Sequence, residues 1–219
     1  MSFDNYQDFG TRAEWLNARK NGIGGSDAAI ILGLSPYKTI QQLYLEKIGG
    51  VEPENISGKP QVQYGINAEE HIRELFKLDY PDYDVLHLDN RIYYSDKYPC
   101  LSASLDGLIY TSTSIIGILE IKTAEINSSL QHEQWKNKIP NQYYCQCLHY
   151  LNVTGVDFVH VRALLKLKYY STAKIEIIDT VIERKDVEED IKLLEAEELR
   201  FWECVINKKL PAWRKLPEL

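Results

Sequence analysis

The chain has 219 residues, 44% hydrophobic and 26% charged, a size and composition suited to one substantial soluble domain and not to a disordered or repetitive chain. Its apolar runs are a few residues long, far below the roughly 20 that cross a bilayer, and the opening "MSFDNYQDFG" is polar and acidic, which argues against a signal peptide or membrane anchor and for the cytoplasm. The net charge of −7 weighs at first against a polyanionic partner, but nine acids against four basic residues between Glu183 and Glu203 carry −5 of it, so the remainder is close to neutral.

The first third reads as helical. Thr11 and Glu14 form a capping box ahead of one helix, and Ser26 is placed to cap a second over "SDAAIILG". A third follows Thr39, with Gln42 completing a second box, and "TIQQLYLEKIGG" ends in glycines where a helix should stop. Residues 62–78 carry Val62, Ile66, Ile72, Leu75 and Phe76 on an imperfect helical stripe.

From Val85 the pattern changes to the β-rich runs "DVLHL", "RIYY", "LSASLDGLIY" and "SIIGILEIK", which predict a sheet. A helix over about 140–153, strands near 158–167 and 174–182, and an amphipathic helix over about 187–207 with Ile191, Leu194, Phe201 and Val205 on one face complete the chain. The expectation is one α/β (α+β) domain over 1–219: a helical part to about 80, a core of mixed sheet flanked by helices over about 81–182, and the final helix. Cys100, Cys145, Cys147 and Cys204 show no CxxC or paired-knuckle spacing, which speaks against a disulfide framework, a zinc site or an iron–sulfur cluster. The histidines have no ligand spacing and read as structural.

One core-like run is interrupted by charge. In "GILEIKTAE" at 117–125, Glu120 and Lys122 flank Ile121, and residues two apart in a strand share a face. Alone, this is compatible with a solvent-facing ion pair at a strand end. Asp106, in "SASLDG" at what should be the turn or strand end of the adjoining hairpin, can bring a second carboxylate towards Glu120. Two converging carboxylates repel unless a cation lies between them, and oxygen donors suit Mg²⁺ or Mn²⁺. Such a cation polarises a phosphoryl oxygen and lowers the pKa of water, while an adjacent ammonium offsets developing charge.

Asp106, Glu120, Ile121 and Lys122 resemble the PD-(D/E)xK nuclease signature, with Leu105 in place of the usual proline. The wider chain is similar to the YqaJ-type viral recombinase family, the lambda-exonuclease-like branch of that superfamily. The likeness rests on "ARKNGIGGSDAAIILGLSPYKT" at 18–39, "YGINAEEHI" at 64–72, "LSASLDGL" at 101–108, "GILEIKTA" at 117–124 and "IPNQYYCQCLHYLNVTG" at 139–155.

The resemblance implies a restriction-endonuclease-like core and a phage-type 5′→3′ exonuclease on linear duplex DNA, using two divalent ions and leaving 3′ overhangs for recombination with a single-strand annealing protein. It implies a homotrimeric ring. It makes Asp106, Glu120 and the Ile121 carbonyl metal ligands and Lys122 the catalytic lysine, and it adds a helix-borne acid at Glu69, with the adjacent Glu70 as the alternative. Arg19 and Ser26 match a 5′-phosphate pocket, in keeping with bidentate phosphate binding by arginine and with free N–H groups at a helix start, although Ser26 as a plain cap fits equally. Gln146 and Tyr150 match a Q-x-x-x-Y motif on one helix face, with Leu148 where a second glutamine is common; Tyr150 as a core residue is the competing reading. Tyr37 and Lys38 in "SPYKT" suit base stacking and phosphate contact, and Trp135, Lys136 and Lys138 offer a similar patch. The metal site does not define polarity, so an endonuclease of the same superfamily and a catalytically silent DNA-end-binding module are the alternatives.

Overall fold

The structure is a computed structural model that describes residues 4–212 except 113, 137 and 173; the ends of the single unit expected over 1–219 lie outside the described residues. Strand β1 (Tyr6–Asp8) leads into helix α1 (Arg12–Ala18), a 3₁₀ turn (Arg19–Asn21), and helices α2 (Gly25–Ile31), α3 (Ile40–Lys47) and α4 (Pro60–Asp79). Both predicted capping boxes form. Thr11 accepts from the N–H of Glu14, whose carboxylate takes the Thr11 N–H at 2.9 Å, and Thr39 and Gln42 repeat the exchange at 2.8 Å. Helix α4 begins earlier than its apolar stripe, because Pro60 occupies its first turn, where a missing N–H costs nothing.

Strands β2 (Asp84–Leu86), β3 (Arg91–Tyr94), β4 (Ser102–Ala103), β5 (Gly107–Tyr110) and β6 (Ile115–Ile126) follow, then helices α5 (Ser129–Glu133) and α6 (Asn141–Thr154), strands β7 (Phe158–Leu167) and β8 (Lys174–Glu183), and helix α7 (Glu188–Ile206). The β-rich runs expected to share one sheet divide between two. A small antiparallel sheet runs β1-β3-β4, and the main sheet runs β2-β5-β6-β7-β8. The sequence gives little notice of β1, whose three residues are all exposed; the Arg91 guanidinium holds it by gripping the Asp8 carboxylate at 2.6 and 2.7 Å.

In the main sheet β6 and β7 pair in parallel over ten residues, Gly117 to Ile126 against Phe158 to Leu167, and the other pairings are antiparallel. The parallel pair needs a crossover, which α5 and α6 supply. Helix α6 stops at Gly155, whose φ of +71° is the left-handed conformation that favours glycine. Alternation along β6 sorts its two faces. Leu119 and Ile121 pack with Ile72 and Phe76 of α4, while Ile118 and Ile126 join the larger core with Leu148 and Leu151 of α6 and Leu194 of α7. The sheet is therefore layered between α4 on one side and α2, α6 and α7 on the other. Among the described residues no helix is long and apolar enough to cross a membrane.

Candidate active site

The Glu120 and Lys122 side chains lie on the β6 face that looks towards α6, not into solvent. Glu120 is 1% exposed, and its Oε1 is ion-paired to Lys122 Nζ. Asp106 immediately precedes β5, whose Gly107 pairs with Leu119, and its Oδ2 accepts the Ile121 N–H at 2.8 Å. The hairpin thus brings Asp106 to the stretch of β6 that holds the charged pair, as the spacing predicts. A solvent-facing ion pair is ruled out by the burial of Glu120.

Helix α4 supplies the third acid. Glu69 is half-buried and Glu70 exposed; both line the same cavity as Asp106 and Glu120. For Glu69, burial and then the Asp106 charge push the pKa up to about 7. Gly65, one turn earlier, allows α4 to approach β6 closely, since a Cβ there would lie 3.2 Å from Thr123 Oγ1. Arg73, one turn after Glu69, donates from Nε to the Asp106 carbonyl at 2.9 Å, so α4 both presents an acid and fixes the Asp106 backbone. Burial, followed by the Asp106 charge, pushes Glu120 up to about 8 even though Lys122 pulls the other way. Burial works against the Lys122 charge, but the Glu120 and Asp106 carboxylates outweigh it and hold the ammonium well above the usual lysine range.

The motif on α6 braces this arrangement. Gln146 Nε2 donates to Tyr150 Oη at 2.7 Å, and Tyr150 Oη donates to the Ser104 carbonyl at 3.0 Å, two residues before Asp106. Tyr150 is buried, so it packs in the core, as the competing reading has it, and it also tethers the segment that carries Asp106. Gly25 makes this possible, because a Cβ there would come within 2.6 Å of Tyr150 Cε1.

The cavity measures about 550 Å³ and is lined also by Arg12, Trp15, Arg19, Arg73, Arg91 and Lys122. These five cations stand beside five acids, Glu69, Glu70, Asp89, Asp106 and Glu120, in the same lining. The Arg19 guanidinium carbon lies 4.5 Å and that of Arg12 5.4 Å from the centroid of the Trp15 ring. The sequence reading singles out Arg19 but misses Arg12, Trp15 and Arg73; the only signal for Arg73 is its place four residues after Glu69, on the same helix face.

Two expectations need correction. Ser26 does not cap α2: Gly24 is the N-cap, because the Asp27 carboxylate reaches back to its N–H at 3.0 Å, and Ser26 is exposed at the second helical position. Trp135 is not a surface aromatic but 3% exposed in the core, leaving Lys138 exposed and Lys136 paired with Glu133 at 2.6 Å. Lys38 is held by Glu46 at 2.7 Å, whereas Tyr37 is 81% exposed.

The donors fit a hard divalent cation. Glu120 Oε2 is buried without a hydrogen-bond partner, which is costly unless something cationic meets it. Asp106 and Glu69 contribute further oxygen atoms around the same cavity. Among the described residues no three His, Cys, Asp or Glu side chains are grouped as a metal site, so a cation here would need ligands from water, backbone or a phosphate oxygen as well.

Comparison with known proteins gives a consistent picture. The model of the YqaJ-like viral recombinase domain matches residues 14–157. The uncharacterized protein YqaJ of Bacillus subtilis (strain 168) is 31% identical over 207 residues, covering 92% of this chain but 59% of that protein, so the chain spans about three fifths of the length of this curated relative. The alkaline exonuclease LHK-Exo of Laribacter hongkongensis superposes with a TM-score of 0.68 at 21% identity, over 90% of this chain and 93% of its own, and has also been solved in complex with dAMP. A phage related exonuclease from Haemophilus somnus 129PT gives a TM-score of 0.53 at 13% identity, over 85% of this chain and 96% of its own. At these identities the structural likeness establishes the fold, that of the PD-(D/E)xK nucleases.

Proposed function

The chain belongs to the YqaJ-like viral recombinase domain family, and from that premise we propose that it is a divalent-metal-dependent deoxyribonuclease that degrades linear duplex DNA 5′→3′ and leaves 3′ overhangs for strand-annealing recombination. The observation that carries the reading is the buried Glu120–Lys122 pair, with Glu120 Oε2 left without a protein partner beside Asp106. What singles this pair out is that its open oxygen belongs to a carboxylate lining the same cavity as Asp106 and Glu69.

In this reading Asp106, Glu120 and the Ile121 carbonyl hold two Mg²⁺ ions, or Mn²⁺ in their place, with Glu69 as the additional acid. The bound cations supply Lewis acidity towards a phosphoryl oxygen and lower the pKa of water. The chain's own residues do the rest. Lys122 holds the attacking water or the developing negative charge. Arg73 and Tyr150 keep the Asp106 segment in place through the Asp106 and Ser104 carbonyls. Arg19 takes a terminal 5′-phosphate bidentately against the Trp15 ring, with Ser26 and Gln146 as further DNA contacts, the exposed Tyr37 as a stacking contact and Lys38 as a phosphate contact. Assembly as a homotrimeric ring, partnership with a phage single-strand annealing protein, and work in the host cytoplasm belong to the same proposal and rest on the family likeness.

The test is digestion of linear duplex with 5′-phosphate or 5′-hydroxyl ends, with Mg²⁺ or EDTA, by the wild type and Lys122→Ala. The expected result is Mg²⁺-dependent shortening from 5′ ends, faster on 5′-phosphate and abolished in the variant, while covalently closed circular plasmid survives. Linearisation of that plasmid would turn the reading to an endonuclease, and equal digestion by Lys122→Ala would remove the mechanism.

A further inference from the structure

Lys122 has a second neighbour, outside both the nuclease signature and the Q-x-x-x-Y motif. Its Nζ lies 5.1 Å from the centroid of the Tyr143 ring, inside the roughly 6 Å over which the negative face of an aromatic ring attracts an ammonium. Tyr143 sits in the first turn of α6, three residues before Gln146 and seven before Tyr150, so the helical repeat places all three on one side of α6. It is half-buried. The buried Trp135 packs against Tyr143 with ring centroids 5.5 Å apart, leaving the ring little freedom to turn away.

The Glu120 carboxylate cannot by itself keep a flexible lysine in place during the proposed reaction. Charge that Glu120 shares with a divalent cation is charge withdrawn from Lys122, so the ion pair weakens when the ammonium is needed. The face of a neutral ring has no such competing partner. We infer that Tyr143 is a positioning residue for Lys122: its π face holds the ammonium at the site while Glu120 serves as a metal ligand, and Trp135 fixes the ring for that purpose. This rests on the nuclease reading above and adds to it a residue on which the rate, but not substrate binding, depends.

The test compares Tyr143→Phe, Tyr143→Leu and pentafluorophenylalanine at position 143, the last having nearly the same shape as Phe but an inverted ring quadrupole. With linear duplex and Mg²⁺, Phe is expected to keep kcat within about threefold, and Leu and the fluorinated ring to lower it at least about tenfold with KM little changed. If the Leu variant fails to fold by thermal unfolding, the fluorinated ring carries the comparison. A second readout needs no activity. In the metal-free protein with ¹³C-labelled lysine, the Lys122 side-chain methylene resonance, assigned by its loss in Lys122→Ala, is expected upfield from the ring current in wild type and Phe and near its ordinary position in Leu. Equal kcat for the Phe and fluorinated proteins, or a Lys122 resonance indifferent to the ring, would overturn the inference. A wild type that cleaves no DNA would sink the nuclease reading, and the resonance would still decide whether the ring holds the ammonium.

Discussion

The Ile121 N–H donates to Asp106 Oδ2 at 2.8 Å, so one carboxylate does two jobs: it braces β6 between Glu120 and Lys122 and it faces the cavity. The two can be separated. Asp106→Asn keeps an acceptor for the Ile121 N–H through its amide oxygen but loses the charge a cation needs. It is expected to fold with stability close to wild type and to lose at least about a hundredfold in kcat. Asp106→Ala leaves the N–H without its acceptor and should lose a further ~1–3 kcal/mol in denaturant unfolding. An Asn variant as active as wild type would show that Asp106 is only a brace.

The raised carboxylates set a pH dependence whose sign can be worked out. Glu69 is pushed up to about 7 and Glu120 to about 8, in each case by burial first and then by the Asp106 charge. In the unfolded chain both ionise near 4.5. Between those values the native state holds more protons than the unfolded one, so without metal its stability falls as pH rises through that window. A divalent cation replaces those protons, and stabilisation by Mg²⁺ should therefore grow across the same range. Thermal unfolding at pH 6 and pH 8.5, with Mg²⁺ and with EDTA, checks this: the Mg²⁺-induced rise in Tm is expected to be larger at the higher pH. The same exchange favours cleavage on the alkaline side.

A second buried pair responds to pH without metal. His149 on α6 presents Nδ1 to Glu198 at 2.6 Å and Nε2 to the Ser102 carbonyl at 2.9 Å. A carboxylate and a carbonyl are both natural acceptors, an arrangement that favours a proton on each ring nitrogen, the imidazolium form. Burial alone would lower its pKa, but the Glu198 carboxylate and then the Ser102 carbonyl raise it above the ordinary value. This contribution is complete below the unfolded pKa of about 6.5 and is lost as pH rises through the folded value. Glu198→Ala should cost about 3–5 kcal/mol near pH 6, since it strands a buried cation, and the penalty should shrink at alkaline pH whether or not Mg²⁺ is present. A penalty independent of pH would mean the ring is neutral.

These relationships mark how far the sequence could be read. Asp106, Glu120 and Lys122 are legible because strand alternation and a hairpin of short reach bring them together within sixteen residues of chain, and the capping boxes are legible because they are local. His149 and Glu198 are 49 residues apart, and their pairing depends on α7 packing against α6. Glu198 therefore reads as one more acid on a solvated face, although it is wholly buried. Trp135 beside two lysines reads as a surface patch for the same reason: its burial depends on Tyr143 in the next helix. Ser26 is mistaken for a cap because local propensity prefers serine to glycine at that position, while the backbone starts the helix two residues earlier to let Asp27 close the turn onto Gly24.

The "GIGG" loop gives the last prediction. Its glycines suggest a backbone that must come close to a phosphate, yet the tight contact lies within the protein. A Cβ on Gly25 would meet Tyr150 Cε1 at 2.6 Å and Gln146 Cγ at 3.0 Å, whereas one on Gly24, where φ is −108° and any residue is comfortable, meets nothing nearer than the Ser102 carbonyl oxygen at 3.9 Å. Neither ring nor helix can yield freely, since Tyr150 is fixed by Gln146 and the Ser104 carbonyl. Gly25→Ala should therefore force α2 away from α6, costing ~1–3 kcal/mol as overpacking does, and should lower activity by releasing the Asp106 segment. Gly24→Ala should change little in either measurement. Denaturant unfolding and nuclease rate on the two variants distinguish this from a loop whose glycines serve only to admit DNA: in that case both alanines would impair cleavage and neither would impair folding.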